Sequence, residues 1–127
     1  MIDYAKELNP EQYRVVTEEG GPLLVLAGAG SGKTRTLTYR VAHLLESGIP
    51  AENILLATFT NKAAHAMLNR VETLVHCYTG KIMGGTFHSI AHRFLRSYAF
   101  RLGYQNSFSI KVIINVFNIQ VYRRSAQ

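Results

Sequence analysis

Leu23-Leu24-Val25-Leu26-Ala27-Gly28-Ala29-Gly30-Ser31-Gly32-Lys33-Thr34 is the stretch that decides the fold. Four apolar residues in a row read as a strand buried on both faces. The glycines that follow let the chain curl so that successive backbone N–H groups point at phosphate oxygens, and the helix expected from Lys33 adds its positive end. Lys33 would reach the β and γ phosphates, and the Thr34 hydroxyl would ligate Mg²⁺. The strict phosphate-loop pattern has glycine where this chain has Ala27. The competing reading is a Gly-rich βα turn with an incidental lysine; the flanking strand and helix favour nucleotide binding.

Outward from the loop, the period alternates between strand and helix. Upstream, Asn9-Pro10-Glu11-Gln12 combines a capping residue, a first-turn proline and a capping-box glutamine, and predicts a helix from about Pro10 to Glu19, broken by Gly20-Gly21-Pro22. Downstream, Leu37, Val41, Leu44 and Leu45 recur at helical spacing as far as Gly48. Ile54 to Phe59 reads as a second buried strand. A helix capped by Thr60 or Asn61 follows, with Ala63, Ala64, Met67, Leu68, Val71, Leu74 and Val75 on its apolar face. Gly84-Gly85-Thr86-Phe87 is a candidate third strand, and Ile90, Phe94, Leu95, Tyr98 and Leu102 mark a third helix closed by Gly103. Strands alternating with amphipathic helices predict an α/β fold with a parallel sheet.

The 127 residues, 47% hydrophobic, suit one soluble globular unit. Net charge is +6, unevenly placed: residues 1–61 hold five basic and seven acidic side chains, whereas residues 62–127 hold nine basic ones against Glu72. The second half therefore suits a polyanion. A single cysteine, Cys77, excludes an internal disulfide, and no apolar run approaches a membrane span or a signal peptide. A cytoplasmic location is expected. His88 and His92 share a helical spacing that could hold zinc, but His76 and Cys77 do not complete a recognised ligand pattern, so no metal cluster is expected.

Four segments together resemble a known family. The phosphate loop Ala27–Thr34, Leu8-Asn9-Pro10-Glu11-Gln12 before it, Thr58-Phe59-Thr60-Asn61-Lys62-Ala63-Ala64 after it and Gly85-Thr86-Phe87-His88-Ser89 beyond are similar to the opening motifs of superfamily 1 DNA helicases of the UvrD/Rep/PcrA type. Ala27 is usual in that family. The resemblance implies part of an N-terminal RecA-like P-loop NTPase domain, over residues 1–110, of an ATP-dependent 3′-5′ DNA helicase acting in repair or replication. It implies ATP and Mg²⁺ as cofactors, and single-stranded DNA and the remaining helicase domains as partners, with no membrane. Gln12 would read the adenine; the residues alone equally allow it to close only a capping box. Ala27, Gly28, Ala29, Gly30, Ser31, Gly32, Lys33 and Thr34 would hold the nucleotide. Arg35 would lie near it or stand on an exposed helix face.

By the same resemblance Phe59, Thr60, Asn61, Lys62, Thr86, Phe87 and His88 would form part of the DNA track, with Phe59 offering a face for base stacking. Arg70, Arg93, Arg96 and Arg101 add positive charge. Taken singly, Phe59 and Phe87 would be core residues. Two departures stand out: Ala66 stands where the family's helix acid follows Ala63-Ala64-His65, and the expected match ends at Ile110, leaving residues 111–127 as an unmatched, β-prone tail. Hydrolysis needs an acid to hold Mg²⁺ and a residue to orient water. The sequence has one aspartate, Asp3, and its only acid beyond Glu52 is Glu72. The expected function is thus ATP and DNA binding with negligible hydrolysis or unwinding by this chain alone. The alternatives are a non-catalytic single-strand-binding module and another P-loop NTPase.

Overall fold

The computed structural model describes residues 2–76 and 79–105, so Cys77 and the tail at 111–127 lie outside the described residues. The chain divides into two compact units, residues 1–87 and 88–127. The first unit contains helices α1 (Tyr4–Glu7), α2 (Pro10–Thr17), α3 (Lys33–Glu46) and α4 (Asn61–Val75), and strands β1 (Leu55–Thr58) and β2 (Met83–Thr86). Helix α5 begins at Phe87 and runs to Tyr98; a 3₁₀ turn, Ala99–Leu102, completes the described part of the second unit. Helices with a small parallel sheet are what part of a P-loop NTPase domain contains.

Local chemistry sets the boundaries. Asn9 accepts from the backbone of Gln12 while the Gln12 side chain accepts from the backbone of Asn9, so the expected capping box is formed, and Pro10 occupies the first turn. Of the two candidate caps for α4, Thr60 takes the position: its Oγ1 accepts from Ala63 N at 3.1 Å. β1 and β2 pair in parallel, with Leu55 opposite Met83 and Thr58 opposite Thr86, and α4 is the crossover between them. Gly84 brings β2 close beneath α4, since a Cβ there would lie 2.7 Å from Leu68 Cδ1. Val41, Ile54, Leu56, Met67, Val71 and Ile82 form the larger apolar core, and Leu8, Val16 and Tyr39 a second one.

Two expectations are corrected. Leu23–Leu26 is not a buried strand: it belongs to no sheet, and Leu24 and Leu26 are 84% and 88% exposed. A run apolar on both faces becomes a buried strand only when ladder partners and covering helices flank it. Among the described residues β1 and β2 pair with each other alone, and the segment pairs with neither of them. Leu37, expected on the inner face of α3, is exposed; Val41 is buried there as expected, together with Tyr39 and Ala42.

The lone acid of the second half of the sequence has a structural use. Glu72 Oε1 accepts from both the backbone N and the hydroxyl of Thr79 at 2.9 Å, tying the end of α4 to the approach to β2. These two bonds hold the Glu72 carboxyl below the usual glutamate range, the backbone donor being the stronger cause. A carboxyl with a lowered native pKa contributes stability above its unfolded pKa of about 4.3, and the contribution is lost as pH falls through the native value. Acidification below about pH 4.3 is therefore expected to destabilise the wild type more than Glu72→Gln, which has no charge to lose. Thermal melts of both proteins at neutral and acid pH check this; parallel losses would remove Glu72 from the explanation.

Candidate nucleotide and DNA sites

The loop between Leu26 and α3 is curled. Gly30 and Gly32 both have left-handed backbones, at φ of 75° and 82°, and the Ser31 hydroxyl donates to Gly28 O at 2.7 Å. Lys33 Nζ donates to the carbonyls of Ala27 and Gly28 at 3.0 Å each, which places the ammonium within the curl. It is held there by uncharged oxygens that phosphate oxygens would outbid as acceptors. Thr34, on the first turn of α3, is exposed.

Gln12 is brought onto this loop. Its Nε2 donates to Ser31 O at 3.1 Å, and a Cβ at position 32 would sit 2.7 Å from that nitrogen. Glycine at 32 thus serves both the left-handed turn and the close approach of Gln12. The two readings of this glutamine are compatible, because one side chain caps α2 and touches the phosphate loop at once.

Arg35 is paired with Glu7. Its Nη2 donates at 2.8 Å to both the backbone oxygen and the carboxylate Oε2 of Glu7, and its guanidinium lies 4.9 Å from the centre of the Tyr39 ring. The Tyr39 hydroxyl donates to the same carboxylate oxygen at 3.0 Å. Burial, followed by this contact, pushes the Tyr39 hydroxyl pKa up. Glu7 and Tyr39 were not among the residues expected from sequence. The four-residue spacing of Arg35 and Tyr39 on one helix face is the signal that could have found the second of them.

The DNA-track candidates gather at the carboxyl ends of the two strands. Thr58 and Thr86 are register partners, so Phe59 and Phe87, the next residues on each strand, leave the sheet at the same end. Phe59 is 95% exposed and Phe87 is 64% exposed, so neither is a core residue. Asn61 Oδ1 accepts from Thr86 N at 3.3 Å, joining the two segments directly. Thr60 is committed to capping α4, and Lys62 is exposed on its first turn. His88 is exposed at the start of the second unit. A cavity of about 120 Å³ lined by Thr34, Thr38, Ala63, Ala66, Met67 and Arg70 lies between the N-terminal half of α3 and the first ten residues of α4. It sets the phosphate-loop helix beside the helix that follows Phe59. Among the described residues no group of three or more His, Cys, Asp or Glu side chains could hold a metal ion. No described helix is long and apolar enough to cross a membrane.

The sequence matches one protein family and several curated proteins. The model of the UvrD/REP helicase N-terminal domain matches residues 8–120. A "Probable DNA helicase II homolog" of Rickettsia conorii is 49% identical over 111 residues, covering 85% of this chain and 17% of the relative. The ATP-dependent DNA helicase PcrA of Staphylococcus epidermidis is 51% identical over 106 residues, covering 83% and 14%. That of Staphylococcus aureus is 49% identical over 104 residues, covering 81% and 14%. The chain thus spans less than a fifth of the length of these relatives.

Proposed function

The chain belongs to the UvrD/REP helicase N-terminal domain family, and from that premise we propose that it is the ATP-binding portion of an ATP-dependent 3′-5′ DNA helicase of repair or replication, working in the cytoplasm and contacting single-stranded DNA. The observation that carries this reading is the curled loop with Lys33 Nζ inside it and Gln12 seated against it. The donor set suits a magnesium nucleotide: backbone amides of residues 28–34 and Lys33 for phosphate, and the Thr34 hydroxyl as a hard oxygen for Mg²⁺. When bound, the ion would neutralise charge on the terminal phosphates. Phe59 and Phe87 supply aromatic faces to the bases, while Thr60, Asn61, Lys62, Thr86 and His88 serve the backbone.

Hydrolysis asks for more than this chain's residues provide. Asp3, the only aspartate, caps α1 by accepting from Lys6 N, and Glu72 is bound to Thr79. We therefore place the acids that hold Mg²⁺ and orient water, together with the second motor domain, outside these residues.

The test is made on the chain as it stands. Phosphate release is expected to remain at background with single-stranded DNA present, whereas ATP and single-stranded DNA each bind. Phe59→Ala is expected to weaken DNA binding about 10-fold, in line with loss of one stacked base. Affinity should also fall steeply with salt. DNA-stimulated turnover lost in Lys33→Ala would overturn the claim of inactivity, and absence of ATP binding would overturn the ATP-binding reading itself.

A further inference from the structure

We infer that the cleft where α1 and α2 meet the carboxyl-terminal end of α3 is a binding site for an aliphatic ammonium group, separate from the nucleotide and DNA sites.

The cleft is a cavity of about 380 Å³ whose wall includes Ile2, Asp3, Tyr4, Tyr13, His43 and Glu46. That volume falls at the small end of the range for small-molecule sites. Glu46 stands about 20 Å along α3 from Lys33, at about 1.5 Å per residue, and the cleft shares no residue with the phosphate loop. Two carboxylates, Asp3 and Glu46, line it, and no lysine or arginine does so among the described residues. The 14-residue helix α3 also ends there, and its negative end adds to the same sign. The charge of the wall therefore suits a cation.

The wall is built for an organic cation rather than a metal ion. Glu46 is held in place: its Oε2 accepts from the Tyr4 hydroxyl at 2.6 Å and its Oε1 from Ile2 N at 3.2 Å. Burial, followed by the Glu46 contact, pushes the Tyr4 hydroxyl pKa up, so the hydroxyl stays a donor. The Tyr4 ring is itself fixed edge-on to His43 and Tyr39, with centroids 5.2 and 6.2 Å away. Asp3 uses Oδ1 to accept from Lys6 N. Two carboxylates already engaged in this way fall short of the six or so oxygens that a hard divalent ion gathers. An ammonium needs only a carboxylate acceptor and an aromatic face. Tyr13, 40% exposed on α2, offers the face, and Ile2 offers apolar surface to the methylene groups behind the charge. Because both Glu46 oxygens already accept a bond, the two-point grip of a guanidinium is disfavoured against the single-point contact of an ammonium.

Calorimetric titration of the chain at low salt with spermidine, with N-acetyl-lysine amide and with magnesium chloride tests this, alongside amide chemical-shift mapping and a thermal melt of each variant. The expected result is saturable binding of an ammonium probe, with shifts centred on residues 2–5, 13 and 43–47. Glu46→Gln should lower the affinity about 10- to 100-fold, as loss of a charged hydrogen bond does, and Tyr13→Leu about 2- to 5-fold, the range for an exposed cation–π contact. Glu52→Gln removes the same charge outside the cleft, in the turn Ala51–Asn53, and should leave the affinity unchanged. Tighter binding of spermidine than of the lysine probe assigns a free polyamine as the ligand, and equal binding assigns a lysine side chain; both support the ammonium site. Equal losses in Glu46→Gln and Glu52→Gln would reduce the effect to net charge and overturn the inference. Displacement of spermidine by an equal concentration of magnesium, or failure of both ammonium probes to bind, would overturn it too. Tyr13→Leu leaves the bond between Tyr4 and Glu46 intact, so an unchanged affinity in that variant overturns the inference even if Glu46→Gln loses its fold.

Discussion

Lys33→Ala is expected to lower the affinity for Mg-ATP by about 10- to 100-fold while leaving the fold standing. The range follows from a charged hydrogen bond, worth about 1.5–3 kcal/mol, at about 1.4 kcal/mol per factor of ten. The lower end has a specific cause in this molecule. Lys33 Nζ already has two partners, the carbonyls of Ala27 and Gly28, and must give them up to reach phosphate. Nucleotide binding is an exchange of carbonyl for phosphate acceptors, and only the difference appears in the affinity. Stability should barely change, because Gly28 is exposed and Ala27 partly so, and water can replace the ammonium at their carbonyls. Calorimetric titration of wild type and variant with Mg-ATP, alongside a thermal melt, measures both quantities. Equal affinities would remove Lys33 from the site, and a large drop in melting temperature would make it a structural residue.

Leu56→Ala is expected to cost about 2–5 kcal/mol of stability, the range for emptying a buried leucine site. Leu56 is 4% exposed in the middle of β1 and packs in the core with Val41, Met67 and Val71. Its neighbour Leu55 points the other way and is 51% exposed. Leu55→Ala should therefore cost about 0.5 kcal/mol or less, as surface changes do. Urea unfolding of the two variants tests the sheet's facing directly. Similar losses from both would show that β1 is buried on its two sides, contrary to the fold described here. Since domains of this kind hold only about 5–15 kcal/mol in total, the Leu56 variant should be visibly less populated at elevated temperature.

Much of this arrangement was legible in the residues, for reasons that differ from place to place. The capping box at Asn9 and Gln12, the cap at Thr60 and the left-handed glycines of the loop are local chemistry, and sequence states local chemistry directly. The parallel pairing of β1 with β2 followed from strand–helix–strand order, although Met83–Thr86 contains two glycines and little β propensity. Leu23–Leu26 was misread because burial is not a property of a segment: the same four residues are a core strand or an exposed one according to what lies beside them. Exposure of Phe59 and Phe87 could not be read from either residue singly. It follows from both strands ending at the same level, which only their register reveals. The bond between Glu72 and Thr79 had no signal, since a helix residue and a loop residue seven positions apart meet only once the chain has turned.

The order of these contacts also bears on when the fold forms during synthesis. Within the first unit, β1, α4 and β2 occupy residues 55–86 without interruption, and their pairing needs nothing from the second unit. Two hydrogen bonds there, from Tyr4 and Ile2 to Glu46, close loops of 42 and 44 residues. Such short closures carry small entropic costs and favour rapid folding. The ties from α1 to Arg35, Tyr39 and Glu46 all end on α3. But Val41 of α3 packs with Ile54, Leu56, Met67, Val71 and Ile82, and Leu74 of α4 packs against the smaller core, so the helix that opens at the nucleotide loop is fully seated only once residue 82 is in place. The parallel strands that display Phe59 and Phe87 must wait for Thr86. The phosphate-binding end and the surface assigned to DNA are thus completed together, through the core that α3 shares with β1, α4 and Ile82.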